Sequence, residues 1–558
     1  MTQDNTVDTS SPYLGRPWLS RYTDGVPSEL SCDFEDGLSM FRGAVHRAPD
    51  KTAVLYFDGS MTFAELDTAS DGFAAALRER GISDGDRVAL FLQNVPQYVI
   101  SLLGIWKAGA TAVAINPMSR ERELTYQLTD SGATVLVCLE SLYADVARAV
   151  VPTTAVSTVF TTSELEYQHR HDPRLFAASS RHRYEDTVDF VDAVTHHAGG
   201  DLPTHTPAPS DLAVLTYTSG TTGPPKGAMT SHSNVAFNSQ VYRDWWAFDE
   251  RDVVLAIAPL FHITGMIGHI GVAMTAHVPL VLGYRFDPGV VLDLIREHKP
   301  TFTVGAITVF TALLNHVGFD RGDFASFRLL CSGGAPISPA SARNILQSTG
   351  LQVHNIYGLT ETTSPTHSVP LGAETPVDPT SGALSVGVPV PNTLVRVVDE
   401  AGADVPVGEV GELVTRGPQV VRGYWNKPAE SANAIRDGWF FSGDVGFMDA
   451  EGWFYIVDRK KDMINASGYK VWPREVEDVL AEHDAVLEAA VVGVPDEYRG
   501  ETVKAFVSLK AGHTVSPEAL IDFAKARMAA YKYPRAIDIV DHLPKTATGK
   551  ILRRELRR

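Results

Sequence analysis

The chain has 558 residues, of which 44% are hydrophobic and 21% are charged. This is ample for a large core and suggests roughly three or four domain-sized units. The formal net charge of −19 makes the chain a poor non-specific binder of nucleic acid or anionic membranes, so any polyanionic ligand must be held by locally concentrated positive charge.

The cysteines are isolated, with no CxxC spacing: Cys32, Cys138 and Cys331. They fit a reduced cytosolic protein better than a disulfide or zinc framework. The polar segment 1–11 does not have the pattern of a signal peptide. The most apolar long window, 266–284, is broken by His269, His277 and Pro279, which argues against a membrane span. The sequence therefore predicts a soluble cytoplasmic protein without an integral membrane segment.

Helix and strand patterns alternate in the first part of the chain. Thr62 and Glu65 have the spacing of a capping box that opens a helix. Apolar runs at 88–92, 111–115 and 133–138 predict strands, with helical patterns between them. This alternation predicts α/β layers built on a parallel sheet.

Other stretches depart from this alternation. Residues up to about Ser31 are predicted to form a loosely ordered arm. The polar stretch 168–209 is predicted to hold loops and one helix, after which the α/β pattern repeats from 234 to 330. Short β-rich runs from 395 to 414, split by glycines, predict a small antiparallel β-subdomain.

The chain changes character near Asp458, where segment 459–462 forms a charged junction. Beyond it the predicted elements follow closely: a helix from Pro473, strands at 488–494 and 502–509, a helix from Ser516 and a strand at 537–540. Together they predict a small α+β domain of plausible size. We therefore predict an N-terminal domain over 1–460 and a C-terminal domain over 461–558.

The segment Thr216–Gly227 follows an apolar run that ends a predicted strand. Its hydroxyl residues and glycines interleave: Thr218, Ser219, Gly220, Thr221, Thr222 and Gly223. Glycines bring backbone N–H groups close to an anion, and Lys226 adds a positive charge. This favours a triphosphate site, although Lys226 lies between Pro225 and Gly227 and so does not match a Walker A loop. The alternative is a surface turn between two elements.

A second chemical motif spans residues 355–362, at the predicted exit of a strand, where α/β sheets usually bind ligands. Thr360 and Glu361 offer hard oxygen ligands for Mg²⁺, and Tyr357 offers a flat face for a purine. The alternative is that Thr360 caps a helix.

Two further turns could contact a nucleoside. Residues 332–336 follow a predicted strand and are small enough for a planar base to approach the backbone; the alternative is a plain connection to a helix. In Ser442-Gly443-Asp444 the carboxylate could accept both ribose hydroxyls, and Arg459 could donate to the same ribose. An Asx-turn is the alternative for Asp444.

Two more residues stand out with weaker patterns. His262 is a single histidine in apolar company, and such a histidine is usually structural. Lys550 follows Gly549 in the C-terminal segment 543–550, where a solvated basic tail is the alternative.

Taken in order, these motifs resemble those of the adenylate-forming superfamily, which comprises acyl-CoA synthetases, aryl-CoA ligases, luciferases and peptide-synthetase adenylation domains. The resemblance implies a large α/β adenylation domain and a small mobile α+β domain. It also implies that a carboxylate attacks the α-phosphate of ATP, releasing pyrophosphate, and that a CoA thiol then attacks the acyl-AMP. The implied co-substrates are ATP and CoA, with Mg²⁺.

The resemblance assigns a role to each motif. The implied nucleotide site consists of Thr218, Ser219, Gly220, Thr221, Thr222, Gly223, Lys226, Gly334, Ala335, Pro336, Tyr357, Gly358, Thr360, Asp444, Ile456, Arg459 and Lys550. Within it, Lys226 would hold the β- and γ-phosphates, Thr360 and Glu361 would hold Mg²⁺, and Lys550 would neutralise charge at the reacting centre.

The resemblance also implies an acyl pocket and a domain rotation. The implied acyl pocket is bordered by His262, Met266 and Gly305. The implied pivot is Lys461, after whose rotation the segment Gly468-Tyr469-Lys470 would replace Lys550 and border the CoA channel.

Segments 302–316, 417–425 and 531–556 look most like bacterial fatty-acyl-CoA ligases, so medium- to long-chain fatty acids are the predicted substrates. Some long-chain members carry an aromatic gate where this chain has Met266, so aryl or alicyclic acids stay open. The rivals are an enzyme that loads a carrier protein and a non-catalytic nucleotide-binding protein; Lys226 and Lys550 together argue against the second. A homodimer is the assembly considered, and nucleic acid is not an expected partner.

Overall fold

The structure is a computed structural model that describes residues 11–199, 205–218, 224–466, 469–496, 500–546 and 550–557. Within these ranges the strands form four sheets, two of them largely parallel. The strand at Val135–Leu139 is buried along its whole length, as is typical of parallel strands covered by helices on both faces. The α/β class predicted from alternating patterns is therefore confirmed.

The seven-stranded sheet is parallel except for its last pair. Its strands lie in the spatial order Val188–Asp189, Thr158–Thr162, Val135–Leu139, Arg87–Phe91, Thr111–Ala114, Leu212–Tyr217 and Gly227–Ser231. The antiparallel pair at its edge is the hairpin that carries the predicted phosphate loop, so this loop lies at one margin of the sheet.

The nine-stranded sheet is parallel in its middle and antiparallel at both ends. Its strands lie in the order Val388–Pro389, Ser364–Ser368, Val353–Leu359, Leu329–Ser332, Phe302–Gly305, Val254–Ala256, Leu280–Leu282, Thr52–Tyr56 and Gly59–Thr62. Three neighbouring strands end in predicted site residues: Phe302–Gly305, Leu329–Ser332 and Val353–Leu359. Since the carboxyl ends of parallel strands share one edge, the fold gathers these motifs there.

Helices cover these sheets. The α-helices span Gly37–Arg47, Phe63–Glu79, Pro96–Lys107, Glu121–Ser131, Glu140–Leu142, Arg148–Val150, Pro173–Phe176, Phe190–His197, His232–Trp245, Ile263–Gly265, Val272–Ala276, Pro288–His298, Ile307–Leu314, Pro339–Thr349, Pro428–Ala434, Pro473–Ala481, Pro517–Lys525 and Arg553–Leu556. The predicted capping box is present, because Glu65 N–H donates to the Thr62 hydroxyl and the Glu65 carboxylate accepts from Thr62 N–H.

Shorter turns complete the helical elements. The π-helical turns are Tyr143–Ala147 and Met266–Gly271, and the 3₁₀ turns are Pro17–Arg21, Val151–Thr153, Arg321–Ser326, Thr360–Thr362 and Lys460–Asp462. Every helix in the described ranges is too short or too polar to span a bilayer.

The remaining two sheets have five strands each. The predicted antiparallel β-subdomain is confirmed by the strands Leu394–Val398, Gly411–Arg416, Ile435–Arg436, Trp439–Met448 and Phe454–Arg459. The C-terminal sheet consists of Ile464–Ala466, Tyr469–Val471, Val486–Asp496, Gly500–Leu509 and Ala536–Ile539. The helices and strands predicted beyond residue 462 are present, but the strands Ile464–Ala466 and Tyr469–Val471 and the helix Arg553–Leu556 were not predicted. The boundary at 460/461 stays a prediction.

Two predictions about irregular segments are wrong. The described part of the N-terminal arm, from Ser11, is packed rather than loosely ordered, because Trp18 is fully buried and its ring meets that of Phe454 edge-on at 5.7 Å. The polar excursion holds two helices, Pro173–Phe176 and Phe190–His197, where one was predicted. The first begins at Asp172, whose carboxylate accepts from Arg174 N–H.

Candidate active site

The predicted phosphate loop is closed at its base by two hydrogen bonds. Thr218 N–H donates to the carbonyl of Lys226 over 2.9 Å, and Lys226 N–H donates to the Thr218 hydroxyl over 3.3 Å. The loop therefore connects two antiparallel strands, whereas a Walker A loop leads from a strand into a helix. The loop residues Ser219, Gly220, Thr221, Thr222 and Gly223, all predicted to bind phosphate, lie outside the described residues.

Lys226 and Glu361 are brought together by a residue that the sequence analysis missed, Tyr424. The Lys226 ammonium lies 4.3 Å from the centroid of the Tyr424 ring. The Tyr424 hydroxyl donates to Glu361 Oε1 over 2.6 Å. The segment 417–425 was noted only for its family resemblance, and no spacing rule links Tyr424 to Glu361. The structure thus joins the predicted phosphate lysine and the predicted metal carboxylate in one cluster.

Thr360 and Glu361 lie in the 3₁₀ turn that follows the strand Val353–Leu359. The turn is held by the Thr362 hydroxyl, which accepts from Leu359 N–H over 2.9 Å, so Thr360 is not its capping residue. A side chain on Gly358 would bring its Cβ within 1.9 Å of the Ser364 carbonyl oxygen. The strand can therefore approach its antiparallel neighbour only with glycine at this position.

Mg²⁺ fits this turn as a cation shared with a substrate. Within the described ranges no group of three or more His, Cys, Asp or Glu side chains could hold a metal ion alone. Mg²⁺ usually takes one or two carboxylates plus phosphate oxygens and water, and the Glu361 carboxylate with the Thr360 hydroxyl meets that description. When bound with ATP, the ion would neutralise phosphate charge.

Asp444 joins Tyr357, the predicted purine contact, to Arg459, the other predicted ribose ligand. Its Oδ2 accepts from the Tyr357 hydroxyl over 2.8 Å, and its Oδ1 pairs with Arg459 Nε over 2.6 Å. The turn around Asp444 is closed by the Ser442 hydroxyl, which accepts from Asp444 N–H, and not by the Asp444 carboxylate. The Asx-turn alternative therefore fails, and the carboxylate is directed to the predicted site residues. Burial, followed by the charge of Asp444, raises the pKa of Tyr357 well above its usual value, so this hydroxyl stays a donor.

The predicted adenine segment follows the strand Leu329–Ser332. Gly334 has a φ of +76°, a conformation that glycine tolerates best. A Cβ on Gly333 would come within 2.7 Å of the Ile356 carbonyl oxygen. Ala335 is half-buried and Pro336 is exposed, before Ser338 caps the next helix. The segment does connect to a helix, and a Cβ on Gly334 would meet nothing within 4 Å, so the backbone there is open to a ligand.

Arg474, from the C-terminal helix Pro473–Ala481, also reaches this side of the site. Its guanidinium donates to the carbonyls of Ile337 over 3.2 Å and Ile456 over 2.8 Å. Ile337 follows the predicted adenine segment, and Ile456 is itself a predicted nucleotide contact. The C-terminal sheet is thereby tied to the nucleotide side through a residue that no sequence motif marked.

Lys550 interacts electrostatically with predicted ribose residues and with a predicted acyl residue. Burial, reinforced by the charge of Arg459, lowers the pKa of Lys550 to about 8, while Asp444 opposes this shift. Burial and then the charge of Lys550 lower the pKa of His262 to about 4. The Lys550 backbone is held by Thr546, whose hydroxyl accepts from Lys550 N–H over 3.1 Å. A solvated basic tail does not describe this lysine.

The pKa of Lys550 predicts how adenylation depends on pH. A lysine with a lowered pKa loses its positive charge as pH rises through that value, so kcat/KM for pyrophosphate release should fall above about pH 8. Lys550→Arg, if it retains activity, should lose this alkaline decline because arginine stays charged. The measurement is a pH profile without CoA, which keeps the thiol out of the titration. A flat wild-type profile from about pH 7 to 9.5 would contradict the assignment.

The residues predicted to border the acyl pocket lie on two adjoining elements. His262 Nδ1 accepts a hydrogen bond from Thr264 N–H over 3.3 Å. The neutral imidazole therefore caps the start of the helical stretch that contains Met266. Met266 begins the π-helical turn Met266–Gly271, and such turns often occur at functional sites. Gly305 ends its strand, where a Cβ would make ordinary contacts with Ile257 and Val309. Met266 is 1% exposed, so it faces packed apolar side chains.

The predicted pivot lies in the 3₁₀ turn Lys460–Asp462, between the β-subdomain and the C-terminal sheet. Lys461 is exposed, while Asp462 pairs with Arg557 over 3.0 Å. Of the predicted CoA-channel residues, Gly468 lies outside the described residues. Tyr469 and Lys470 are exposed on the hairpin that follows the turn.

Comparison with known proteins identifies the family. The model of the AMP-binding enzyme family matches residues 41–425, and that of the AMP-binding enzyme C-terminal domain matches 475–550. The chain belongs to the AMP-binding enzyme family. The acyl-CoA ligase activity predicted from the sequence, with ATP and CoA as co-substrates, is confirmed.

Relatives of this AMP-binding enzyme align over nearly its whole length. It is 38% identical to the long-chain-fatty-acid–CoA ligase of Bacillus subtilis (strain 168), covering 97% of both chains. It is 37% identical to the long-chain-fatty-acid–CoA ligase of Escherichia coli O6:H1, covering 98% of both. Its fold is similar to that in the crystal structure of the anthranilate CoA ligase AuaEII in complex with anthranoyl-AMP, with a TM-score of 0.86 and 29% sequence identity. The match covers 95% of this chain and 97% of the AuaEII chain.

Proposed function

We propose that this AMP-binding enzyme activates medium- to long-chain fatty acids, first as acyl-AMP and then as acyl-CoA thioesters. One observation carries the proposal: Lys550 is close enough to Arg459 and Asp444, and also to His262, for their charges to affect one another's pKa. These electrostatic interactions support a position for Lys550 where the predicted nucleotide and acid sites meet, and there a carboxylate would meet an α-phosphate.

In the first half-reaction a carboxylate oxygen bonds to the α-phosphorus of ATP as the bond to pyrophosphate breaks. Lys226 holds the β- and γ-phosphates, and Thr360 and Glu361 provide the oxygen ligands that Mg²⁺ would use. Lys550 neutralises charge on the carboxylate and α-phosphate. Such catalysis needs positioning and preorganised charge rather than a protein nucleophile.

In the second half-reaction the CoA thiolate attacks the acyl-AMP carbonyl, and AMP leaves. We assign this step to a rotated C-terminal domain, with Lys461 as pivot and Gly468, Tyr469 and Lys470 beside the pantetheine. The rotation would break the contacts of Arg474 with Ile337 and Ile456 that hold the present arrangement. The exposed position of Tyr469 is compatible with this role because the residue is 58% exposed.

Two observations bear on the acid. The B. subtilis and E. coli relatives are named for long-chain fatty acids, which supports a fatty-acid substrate. The AuaEII structure has a similar fold and holds anthranoyl-AMP, so an aryl acid is the second candidate. Met266 is unbranched and flexible and can repack around either shape.

Met266→Trp should shift the preference toward shorter acids. The side chain is buried beside Gly265 and Gly268, and a Cβ on Gly268 would already meet Val304 at 2.8 Å, so a larger ring must take space from the acid. Overpacking a filled site typically costs about 1–3 kcal/mol. We expect kcat/KM to fall for long acids while KM for ATP changes little. An unchanged chain-length profile would remove Met266 from the pocket.

The activity is tested by following pyrophosphate release with hydroxylamine trapping, then thioester formation with and without CoA. Saturated acids of graded length and benzoate-like acids form the substrate panel. Trapped hydroxamate and CoA-dependent thioester, strongest with medium or long chains, would support the proposal. A preference for benzoates would favour the aryl candidate. Release of pyrophosphate without a CoA thioester would favour carrier loading, and neither product would indicate a non-catalytic binder.

The assembly and location extend this proposal. A homodimer is the predicted assembly, to be tested by light scattering after gel filtration. We place the enzyme in the cytoplasm because it draws on the ATP and CoA pools, and cell fractionation tests that placement.

A further inference from the structure

Tyr424 lies in a small apolar cluster at the junction of three site segments. It is packed with Ala228 and Val421. Its main chain is fixed on both sides, since Trp425 N–H donates to the Gly227 carbonyl over 2.8 Å and Tyr424 N–H donates to the Ser431 hydroxyl over 2.8 Å. Because the main chain of Tyr424 is held in place, its side chain can fix the positions of the groups that it contacts.

The tyrosine touches two charged groups through different parts of its side chain. The hydroxyl donates to Glu361 Oε1 over 2.6 Å, and the ring face lies 4.3 Å from Lys226 Nζ. The main chain supports the same arrangement, because Val421 N–H donates to the Glu361 carbonyl over 2.9 Å.

This geometry leaves the second carboxylate oxygen for another ligand. Among the described residues, Glu361 Oε2 takes part in no hydrogen bond, while Oε1 is occupied by Tyr424. A glutamate side chain has three rotatable bonds, and fixing one oxygen selects the direction in which the other points. Partners that orient a metal ligand in this way typically change metal affinity by about 10- to 100-fold.

We propose that Tyr424 is a positioning residue that sets the Glu361 carboxylate and the Lys226 ammonium at the spacing required by a Mg²⁺–triphosphate. The inference rests on the proposed function, in which these two groups bind Mg²⁺ and the β/γ-phosphates. The Tyr424 hydroxyl positions the Glu361 carboxylate, and the Tyr424 ring positions the Lys226 ammonium. The two contributions can therefore be separated by substitution.

The test measures ATP binding by titration calorimetry, once with Mg²⁺ and once with EDTA. Tyr424→Phe keeps the ring and its packing but removes the donor to Glu361. It should weaken binding about tenfold with Mg²⁺ and leave binding in EDTA unchanged. Tyr424→Leu removes both contacts and should weaken binding under both conditions. Tyr143→Phe is the matched control, because Tyr143 donates to the Asp186 carboxylate over 2.8 Å outside the site.

A double-mutant cycle shows whether the hydroxyl acts through Glu361. In a Glu361→Gln background, Tyr424→Phe should cause little further loss, since coupled residues are not additive. The proposal would be overturned if the losses of ATP affinity caused by Tyr424→Phe and Glu361→Gln were fully additive. It would also be overturned if Tyr424→Phe weakened ATP binding equally with and without Mg²⁺. If Tyr424→Leu unfolds, the phenylalanine comparison decides alone.

The cycle also separates this proposal from the proposed function. If Glu361→Gln loses the Mg²⁺ dependence of ATP binding while Tyr424→Phe behaves as wild type, only the role of Tyr424 is overturned. If Glu361→Gln keeps the wild-type dependence, the metal assignment of Glu361 falls, and the role of Tyr424 falls with it.

Discussion

Lys550→Ala should slow acyl-AMP formation by about a hundredfold or more, while thioester formation from supplied acyl-AMP changes far less. Removing one preorganised donor from a developing charge typically costs about 3–4 kcal/mol. The structure supports this expectation, since the charge of Arg459 lowers the pKa of Lys550 and the charge of Lys550 lowers the pKa of His262, which links Lys550 to both the predicted nucleotide side and the predicted acid side. The measurement compares single-turnover pyrophosphate release with the conversion of synthetic acyl-AMP and CoA to thioester.

The matched control is Lys545→Ala. Lys545 precedes the same loop, but its ammonium pairs with Glu488 over 2.6 Å within the C-terminal sheet. This variant should keep both half-reactions close to wild-type rates. Equal impairment of both half-reactions in Lys550→Ala would show that the lysine supports the fold rather than the first chemical step.

Lys461→Pro should leave adenylation largely intact and slow thioester formation on the order of a hundredfold, because misplaced reactants lose rate steeply. Proline fixes φ near −65° and would restrict the proposed pivot. Because we propose that the present arrangement serves the first step, locking it should spare adenylation. The two half-reactions are measured separately, as for Lys550.

Lys461→Ala is the control that distinguishes the effect of restricting the backbone from the effect of losing the lysine side chain. It removes the ammonium but leaves φ free, so both half-reactions should proceed. An unchanged overall rate with CoA in Lys461→Pro would mean that the chain pivots elsewhere.

The elements that sequence predicted well are those whose signals are local. The capping box at Thr62 lies within four residues, and buried strands such as Val135–Leu139 show as apolar runs. The roles proposed for Lys226 and Lys550, which stay predictions, likewise rest on short motifs with characteristic neighbours. In each case the residues that carry the signal are close together in the chain.

Contacts between distant segments could not be predicted in this way. Tyr424 reaches Glu361, and Arg474 reaches Ile337, across long stretches of chain, and neither residue type has a spacing that reveals its partner. The N-terminal arm was misjudged for the same reason. Its polar and proline-containing sequence hides the fact that Trp18 is buried against residues near the end of the β-subdomain.

Because Trp18 in this arm packs against Phe454, the arm can complete its packing only after the β-subdomain has been synthesised. Trp18 cannot reach its final surroundings until Phe454 has left the ribosome. At about 5–20 residues per second, making the roughly 440 residues between them takes on the order of 20 to 90 s. During that time the Trp18 ring lacks the Phe454 contact that it makes in the folded protein, so this arm completes its packing long after it has been synthesised.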